Sequence, residues 1–277
     1  MEYKIVADSS CDLNPELEKY MDVTLVPFKI DIDDKSFVDD ENIDMADLYK
    51  TMKASPNPIR SSCPSPGDFK AEFEDSDNVF VVTIADKLSA TYNSAILAKE
   101  MMLEEAKDKF VHVFDSKGAS VTETLTAMKI QESIDMKLPR DEIVKRVEEY
   151  IEEMKTYFIS EDLSNLIKNG RISKTKGLIA NLLNIKPVMR ADEEGNIEPV
   201  EKIRGSKKAF KRLAEIIGEK GSKFEEKIVA ISHANALDKA LELKEDLKKY
   251  NFKDIIIVET TGLSAVYVND GGIIIAF

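Results

Sequence analysis

The chain has 277 residues, enough for two domains, and its 43% hydrophobic and 33% charged residues are typical of a soluble globular protein. With 39 Lys and Arg against 52 Asp and Glu, the net charge is −13. A field of that sign repels polyanions. We therefore expect no nucleic acid partner, and the composition does not indicate peripheral membrane contact.

Signals of export, membrane insertion or metal binding are sparse. The start of the chain lacks a basic segment followed by an apolar stretch, and no run approaches the roughly 20 apolar residues of a membrane span. Cys11 and Cys63 do not make a disulfide framework; they could form a redox pair, but inert thiols are the simpler interpretation. Few histidines and no CxxC pair disfavour a zinc site. We expect a cytoplasmic monomer without metal or cofactor.

The first half alternates short apolar runs with helical patterns. YKIVA predicts a strand, and residues 15–20 predict a helix. VTLVPFKI predicts a second strand, and a third strand is possible at residues 35–38. A helix over MADLYKTMKAS is followed by NPIRSSCPSPGDF, which we expect to be a rigid loop leading into a helix from Pro66. NVFVVTIA and FVHVFDS predict strands around a helix at 92–106, and helices are expected over 119–135 and 139–158.

The second half repeats this alternation. TKGLIANLLNI predicts a helix, KPVMRADEEGNIEPVEKIRG a hairpin, and SKKAFKRLAEIIGEK and LDKALELKEDLKKY amphipathic helices around the strand IVAIS. IIIVETTG and GGIIIAF predict closing strands, about four in this half. We therefore predict an α/β fold of two domains. Residues 1–159 would form a mostly parallel sheet with helices on both faces, and residues 160–277 a smaller α/β layer domain.

Acids and hydroxyls follow the predicted strands IVA-DSS, VVTIA-DKLS and VHVF-DS. Ligands of open α/β sheets bind outside the carboxyl ends of the strands, so these residues and the SSCPS loop predict a hydroxyl-lined crevice. Asp8, Ser9 and Ser10 would be part of its wall. The alternative is that they only form a turn and cap the next helix.

The sequence contains no recognisable catalytic machinery. His112 lies in mid-strand, His233 ends a strand, and GxSxG is absent, which disfavours a serine hydrolase. GxxxxGK[ST] and GxGxxG are also absent, so we predict a binding protein without a nucleotide site or catalytic residues. Ser89 and Thr91 open one predicted helix, and Ser61 and Ser62 precede another. Such helix ends favour one small anion, although plain N-capping explains each serine singly.

Six ordered motifs resemble those of the DegV family, over essentially the full length. DSSCDL is similar to DS(S/T)xDL, SSCPSPGDF to the TSQPS loop, LSATYNSA to LSGTYxSA, DSKGAS to DSxxxS, LIKNGRIS to LxxGRI and KIRGSKKA to KxRGxxKA. The resemblance implies a bacterial protein of two α/β domains that holds one long-chain fatty acid between them. It further implies that a separate ATP-using fatty acid kinase receives the carboxylate and forms an acyl phosphate.

The resemblance also implies which residues bind the ligand. The carboxylate would lie among the hydroxyl loops and the NGR motif, which supply Asp8, Ser9, Ser10, Ser61, Ser62, Ser89, Ala90, Thr91 and Arg171. The acyl tunnel would be lined by Leu178, Ile179, Leu182 and Leu183, whose apolar arc is too wide for one core stripe. The alternative is a helix packed between the sheet and the other domain.

The sequence departs from the family pattern in two places. Ser61 and Cys63 replace the threonine and glutamine of the TSQPS loop. Many members carry HxGPG near the end, where this chain has Val268 at the histidine position, followed by Asn269, Asp270 and two glycines. Asp270 beside a bound carboxylate would be unfavourable unless it turns away.

Two other functions remain open at this stage. The first is the binding or conversion of a small hydroxylated or phosphorylated metabolite, since the DegV fold resembles the substrate domain of dihydroxyacetone kinase. The second is a structural module that binds no ligand. A basic cluster, Lys202, Arg204, Lys207, Lys208, Lys211 and Arg212, would serve with Arg171 as the docking face for the kinase, or would be a solvated helix face.

Overall fold

The structure is a computed structural model that describes residues 3–172 and 185–277. The strands in these residues are β1 (Lys4–Asp8), β2 (Val23–Val26), β3 (Lys29–Ile32), β4 (Lys35–Val38), β5 (Arg60–Ser62), β6 (Asn78–Thr83), β7 (Phe110–Asp115), β8 (Thr156–Ile159), β9 (Ile185–Ala191), β10 (Ile197–Arg204), β11 (Ile228–His233), β12 (Asp254–Glu259) and β13 (Ile273–Ala276). The α-helices are α1 (Pro15–Tyr20), α2 (Met45–Ala54), α3 (Pro66–Phe73), α4 (Thr91–Glu105), α5 (Val121–Asp135), α6 (Arg140–Glu153), α7 (Ser164–Lys168), α8 (Ser206–Lys220), α9 (Leu237–Leu247) and α10 (Gly262–Val268).

The first sheet is fully parallel, with strand order β2-β1-β6-β7. Side chains alternate between its faces because the strand period is two. Val6 and Val81 pack with residues of α3 and α4 on one face, while Ile5 and Phe80 pack with residues of α5 and α6 on the other. Helices therefore cover both faces, as the sequence predicts.

The second sheet is mixed and has six strands in the order β10-β9-β8-β13-β11-β12. Its one parallel pair is β11 with β12; the other neighbours are antiparallel. Leu213 of α8 and Leu243 of α9 share a core with Val229 and Ile275 on one face of the sheet. On the other face, Ile274 shares a core with Leu125 of α5 and with the first sheet. Helix α5 is thus buried between the two sheets.

A small antiparallel sheet, β4-β3-β5, lies beside the two larger ones. Ile30 and Ile32 of β3 pack with Leu48 of α2 and Val266 of α10. This packing brings strand β5, with Ser61 and Ser62, next to the last helix of the chain.

The predicted α/β class is confirmed, and several predicted elements are wrong in detail. VTLVPFKI is two strands in different sheets, because Pro27 lacks the N–H that a continuous strand requires. The helix expected over 139–158 ends at Glu153, and Thr156–Ile159 is a buried strand. The loop around Ser61 contains β5, and the second sheet has six strands rather than about four.

The division of the chain into domains after residue 159 stays a prediction. Strand β8 lies just before that point, yet it pairs with β9 and β13 of the second sheet. In the part of the chain that the structure describes, no helix is both long and apolar enough to cross a membrane.

Candidate ligand-binding site

One cavity lies where the first sheet, the second sheet and helix α10 meet, and it contains about 800 Å³ of empty space that is partly open to solvent. Its polar lining is contributed by Ser10, Ser61, Ser89, Thr156, Arg171, Ser264 and Tyr267. The rest is mostly apolar, including Phe28 and Leu263 on one side and Phe158, Ile197 and Ile274 of the second sheet on the other.

The segment after β1 combines a turn with a position in this wall. Asp8 Oδ1 accepts hydrogen bonds from the backbone N–H of Ser10 at 3.0 Å and from its hydroxyl at 2.7 Å. Asp8 Oδ2 accepts from the N–H of Ile84 at 2.8 Å, across the sheet. Ser9 donates to Asp39 at 2.8 Å and accepts from the N–H of Phe28 at 3.0 Å. Ser10 reaches the cavity, whereas Asp8 and Ser9 are buried behind it.

Plain N-capping does not account for the serines that the sequence singles out. Helix α1 is capped by Asn14, and α3 is capped by Ser65, which forms a capping box with Asp68. At α4 the N-cap position is Ala90, which makes no side-chain cap hydrogen bond. Ser10, Ser61 and Ser89 therefore have other roles.

Two pairs of hydroxyl groups contribute to the cavity. Ser61 Oγ lies 3.0 Å from the Tyr267 hydroxyl, and Ser89 Oγ lies 2.7 Å from Thr91 Oγ1. A hydrogen bond between two hydroxyls uses one of their two protons, so the second proton of each pair can be donated to a ligand oxygen. The two pairs together can therefore hold an anionic head group without a cation.

The structure places the other predicted site residues in different settings. Arg171 lines the cavity and donates from Nε to the Leu88 carbonyl at 2.9 Å and from Nη1 to the Asn169 carbonyl at 2.6 Å. Ser62 and Ala90 are exposed and do not line the cavity, while Thr91 is buried behind Ser89. The four predicted tunnel residues, Leu178, Ile179, Leu182 and Leu183, lie outside the described residues.

Four buried carboxyl groups lie behind this wall: Asp8, Asp12, Asp39 and Glu123. Burial raises the pKa of Asp12 to about 7 and the pKa of Asp39 to about 6, against hydrogen bonds that favour the ionised forms. Asp39 accepts from Ser9 and from the N–H of Leu263 at 2.9 Å. Asp39 cannot be predicted from the sequence, because an acid in a turn-rich acidic segment carries no signal of burial.

The histidines and cysteines have packing roles. His112 lies against Phe114 with ring centroids 4.5 Å apart, and burial lowers its pKa to about 4, so it is neutral at pH 7. His233 Nδ1 accepts from the N–H of Ala236 at 3.3 Å. Both thiols are free, and burial raises the pKa of Cys11 and of Cys63, which disfavours the thiolate form of each.

The segment that departs from the family pattern lies partly in the site. Val268 lines the cavity, and its neighbour Tyr267 supplies the hydroxyl that pairs with Ser61. Asp270 is exposed and accepts from Asn235 at 3.1 Å, so its charge is turned away from the cavity.

The fold and the site together define an α/β protein with one hydroxyl-edged, mostly apolar cavity between two sheets. A family profile described as an uncharacterised protein of the DegV family matches residues 2–277. The chain belongs to the DegV family. A DegV domain-containing protein of Streptococcus pneumoniae is 35% identical over 280 residues, covering 100% of this chain and 99% of that protein.

Solved structures of other DegV proteins share the fold. A DegV-family protein from Ruminococcus gnavus, whose structure is described with vaccenic acid, has a TM-score of 0.96 and 39% identity, with 99% of both chains covered. The Fatty Acid Kinase (Fak) B3 protein of Streptococcus pneumoniae, loaded with linoleic acid, has a TM-score of 0.91 and 34% identity, covering 100% of this chain and 99% of that one. Fatty acids are thus the ligands described for these neighbours.

Proposed function

We propose that this protein binds one long-chain fatty acid in the cavity and presents its carboxylate to a separate ATP-dependent fatty acid kinase. The observation that carries the proposal is the lining, in which hydroxyl pairs meet a largely apolar surface from the second sheet. The fatty acids in the structures of the two neighbours support it.

The acyl chain would supply most of the affinity. A chain of 16 to 18 carbons buries about 14–16 methylenes at about 0.8 kcal/mol each, which gives about 11–13 kcal/mol before the costs of association. The polar wall therefore needs only to orient the head group. We assign the carboxylate to the Ser61–Tyr267 and Ser89–Thr91 pairs, with Arg171 beside them.

A head group held by neutral hydroxyls suits onward transfer. Without a bidentate guanidinium clamp, a carboxylate oxygen remains accessible to a phosphoryl donor. The kinase partnership is supported by the likeness to the Fak B3 protein. In this proposal the chain is a cytoplasmic carrier and not itself an enzyme, and its ligand is the fatty acid rather than a cofactor.

Mass spectrometry of the purified protein under native conditions, with extraction of bound lipid, tests the first part. A bound fatty acid in about equal amount to the protein supports the proposal. A small polar or phosphorylated metabolite in its place would contradict it, and would fit poorly against the apolar wall.

Reconstitution with a fatty acid kinase and ATP tests the second part. Acyl phosphate should form only when kinase, fatty acid and this protein are all present. Acyl phosphate formed without the kinase would show that the protein is itself an enzyme.

A further inference from the structure

The hydroxyl of Ser10 lies between two carboxyl groups that are both fully buried. Ser10 Oγ is 2.7 Å from Asp8 Oδ1 and also contacts Glu123 Oε1. A hydroxyl has one proton, so it can donate to only one of these oxygens. If both acids were ionised, the other contact would bring two lone pairs together in a medium of low dielectric constant.

The surroundings of the two acids show which of them carries the additional proton. Asp8 receives three hydrogen bonds, from the N–H and hydroxyl of Ser10 and from the N–H of Ile84. Glu123 Oε2 is buried with no hydrogen-bond partner among the described residues, Oε1 contacts the Ser10 hydroxyl, and the Glu123 carboxyl lies beside that of Asp8. Hydrogen bonds to a carboxylate favour its ionised form, so Asp8 is the anion and Glu123 the acid.

Among the residues that the structure describes, no cation acts on Glu123 from its position on α5. The helix lies between the two sheets, and the titratable groups that act on Glu123 are Asp8, Cys11 and Asp12. Burial and the charge of Asp8 raise the pKa of Glu123 well above its ordinary value, which agrees with the contacts.

We propose that Glu123 is a positioning residue that stays protonated in the working protein and donates its proton to Ser10, while Ser10 donates to Asp8. The relay commits the Ser10 proton to Asp8 and keeps a second charge away from the cavity. Its role toward the ligand rests on the proposed function: a fatty-acid carboxylate meets an ordered neutral oxygen at Ser10 and is held by the other hydroxyls.

Urea unfolding of the wild type and of Glu123→Gln between pH 5.5 and 8.5 tests the proton directly. Glutamine keeps a donor for Ser10 but cannot ionise in the unfolded chain. The ratio of the wild-type to the variant unfolding constant should therefore rise about tenfold per pH unit while folded Glu123 stays protonated. A ratio independent of pH would overturn the proposal.

Glu132→Gln on the same helix is the matched control. Ion pairs with Lys129 and Arg146 lower the pKa of Glu132, although burial alone would raise it, so it is ionised in both states above pH 5.5. The ratio of the wild-type to the Glu132→Gln unfolding constant should therefore not change with pH.

Infrared spectroscopy of the wild type at pH 8.5 covers the case in which Glu123→Gln does not fold. Asp12 and Asp39 are ionised at that pH, and burial also raises the pKa of Asp8, so the glutamate carboxyls are labelled with 13C to separate Glu123 from Asp8. A carbonyl band of a protonated carboxyl that shifts with this label supports the proposal. Absence of such a band would contradict it.

Fatty-acid titration then tests the role in the site. If Glu123 is neutral, the fatty-acid affinity of Glu123→Gln at pH 7.5 should lie within about twofold of the wild-type affinity. If Glu123 carries a charge, its removal would raise that affinity about fivefold or more, which would overturn the proposal. A wild type that binds no fatty acid would refute the proposed function alone, because unfolding and infrared spectra need no ligand.

Discussion

The two walls of the cavity are built from different interactions. One wall is formed by the loops after β1 and β6, by β5 and by α10. Hydrogen bonds hold this first wall together, such as those of Ser9 to Asp39 and of Ser61 to Tyr267. The wall from the second sheet consists of side chains such as Phe158 and Ile274, which pack in the main core. Hydrogen bonds have direction and packing does not, so we expect the first wall to orient a ligand and the second to set its affinity.

The largest expected difference between the walls is in the pH dependence of stability, and Asp39→Asn measures it. The folded pKa of Asp39 is about 6 against an ordinary value of 3.8, so the folded form keeps a proton that the unfolded form loses in that range. Stability is therefore higher below pH 4 and falls as the pH rises to 6. Relative to the wild type, the variant should gain about 3 kcal/mol between pH 3 and 7 in urea unfolding, about 2 kcal/mol of it between pH 4 and 6.

Thr156→Val is the control for this prediction in the other wall. The Thr156 hydroxyl bonds to Thr122 at 2.9 Å, and neither group titrates. The variant should lose stability by the same amount at every pH. A similar pH trend in both variants would break the distinction between the walls.

Ala191→Phe tests whether the second wall sets affinity. Ala191 ends β9 and lines the cavity, so a benzyl group there should displace about three methylenes of a long chain. Affinity for an 18-carbon acid should fall by about 2–3 kcal/mol, while a chain shorter by about four carbons should bind nearly as before. Fluorescence displacement with acids of graded length measures this, and the exposed Ala71→Phe is the control. Unchanged length selectivity would exclude Ala191 from the acyl site.

Ser89→Ala tests the orienting wall, where the expected loss is smaller. Removing one hydrogen bond to a charged acceptor should weaken fatty-acid binding by about 1–2 kcal/mol for every chain length. Ser62→Ala is the matched control because Ser62 is exposed and outside the cavity. Equal affinities of the two variants would remove Ser89 from the site.

The smallest effect on binding is expected from the basic cluster, and its α8 residues Lys207, Lys208, Lys211 and Arg212 are referred to below as the α8 cluster. Arg212 is paired with Glu201, Glu215 and Glu219, so it does not present a free charge, whereas Lys207 and Lys208 are exposed. If the cluster docks a kinase, changing both lysines to Glu should slow acyl-phosphate formation in a salt-sensitive way. Fatty-acid affinity should not change.

Lys248 and Lys249, exposed on another part of the surface, provide the control pair for this experiment. If charge reversal of Lys207 and Lys208 slows acyl-phosphate formation no more than charge reversal of Lys248 and Lys249, the α8 cluster is only solvated surface.

Local sequence patterns predict those helices and strands whose structure depends mainly on their own residues. The β1 strand and the Pro66 helix carry strong strand and cap signals within a few residues. For TYFI, which forms β8, the local pattern wrongly predicts a helix, because four apolar residues after a helical pattern do not distinguish a helix from a strand.

The parts of the site that the sequence did not predict depend on distant contacts. Tyr267 meets Ser61 across 206 positions of the chain, and Ser10 meets Glu123 across 113. Helix α10, which carries Tyr267, was missed because GLSAVYV has β-branched and aromatic residues typical of strands. Its helical form is set by packing against α2 and α7 rather than by local preference.

The place of β13 in the second sheet has a consequence for synthesis on the ribosome. This strand pairs with β8 on one side and β11 on the other, and the N–H and carbonyl of Phe277 both bond to Lys155. The growing chain therefore makes β8 more than a hundred residues before its neighbour exists. Until β13 has left the exit tunnel, β8 and β11 have an unfilled gap between them, and Ile274 cannot complete the cavity. Under the proposed function, a nascent chain should therefore bind fatty acid only once β13 is in place, and until then β8 keeps an unpaired edge that favours aggregation.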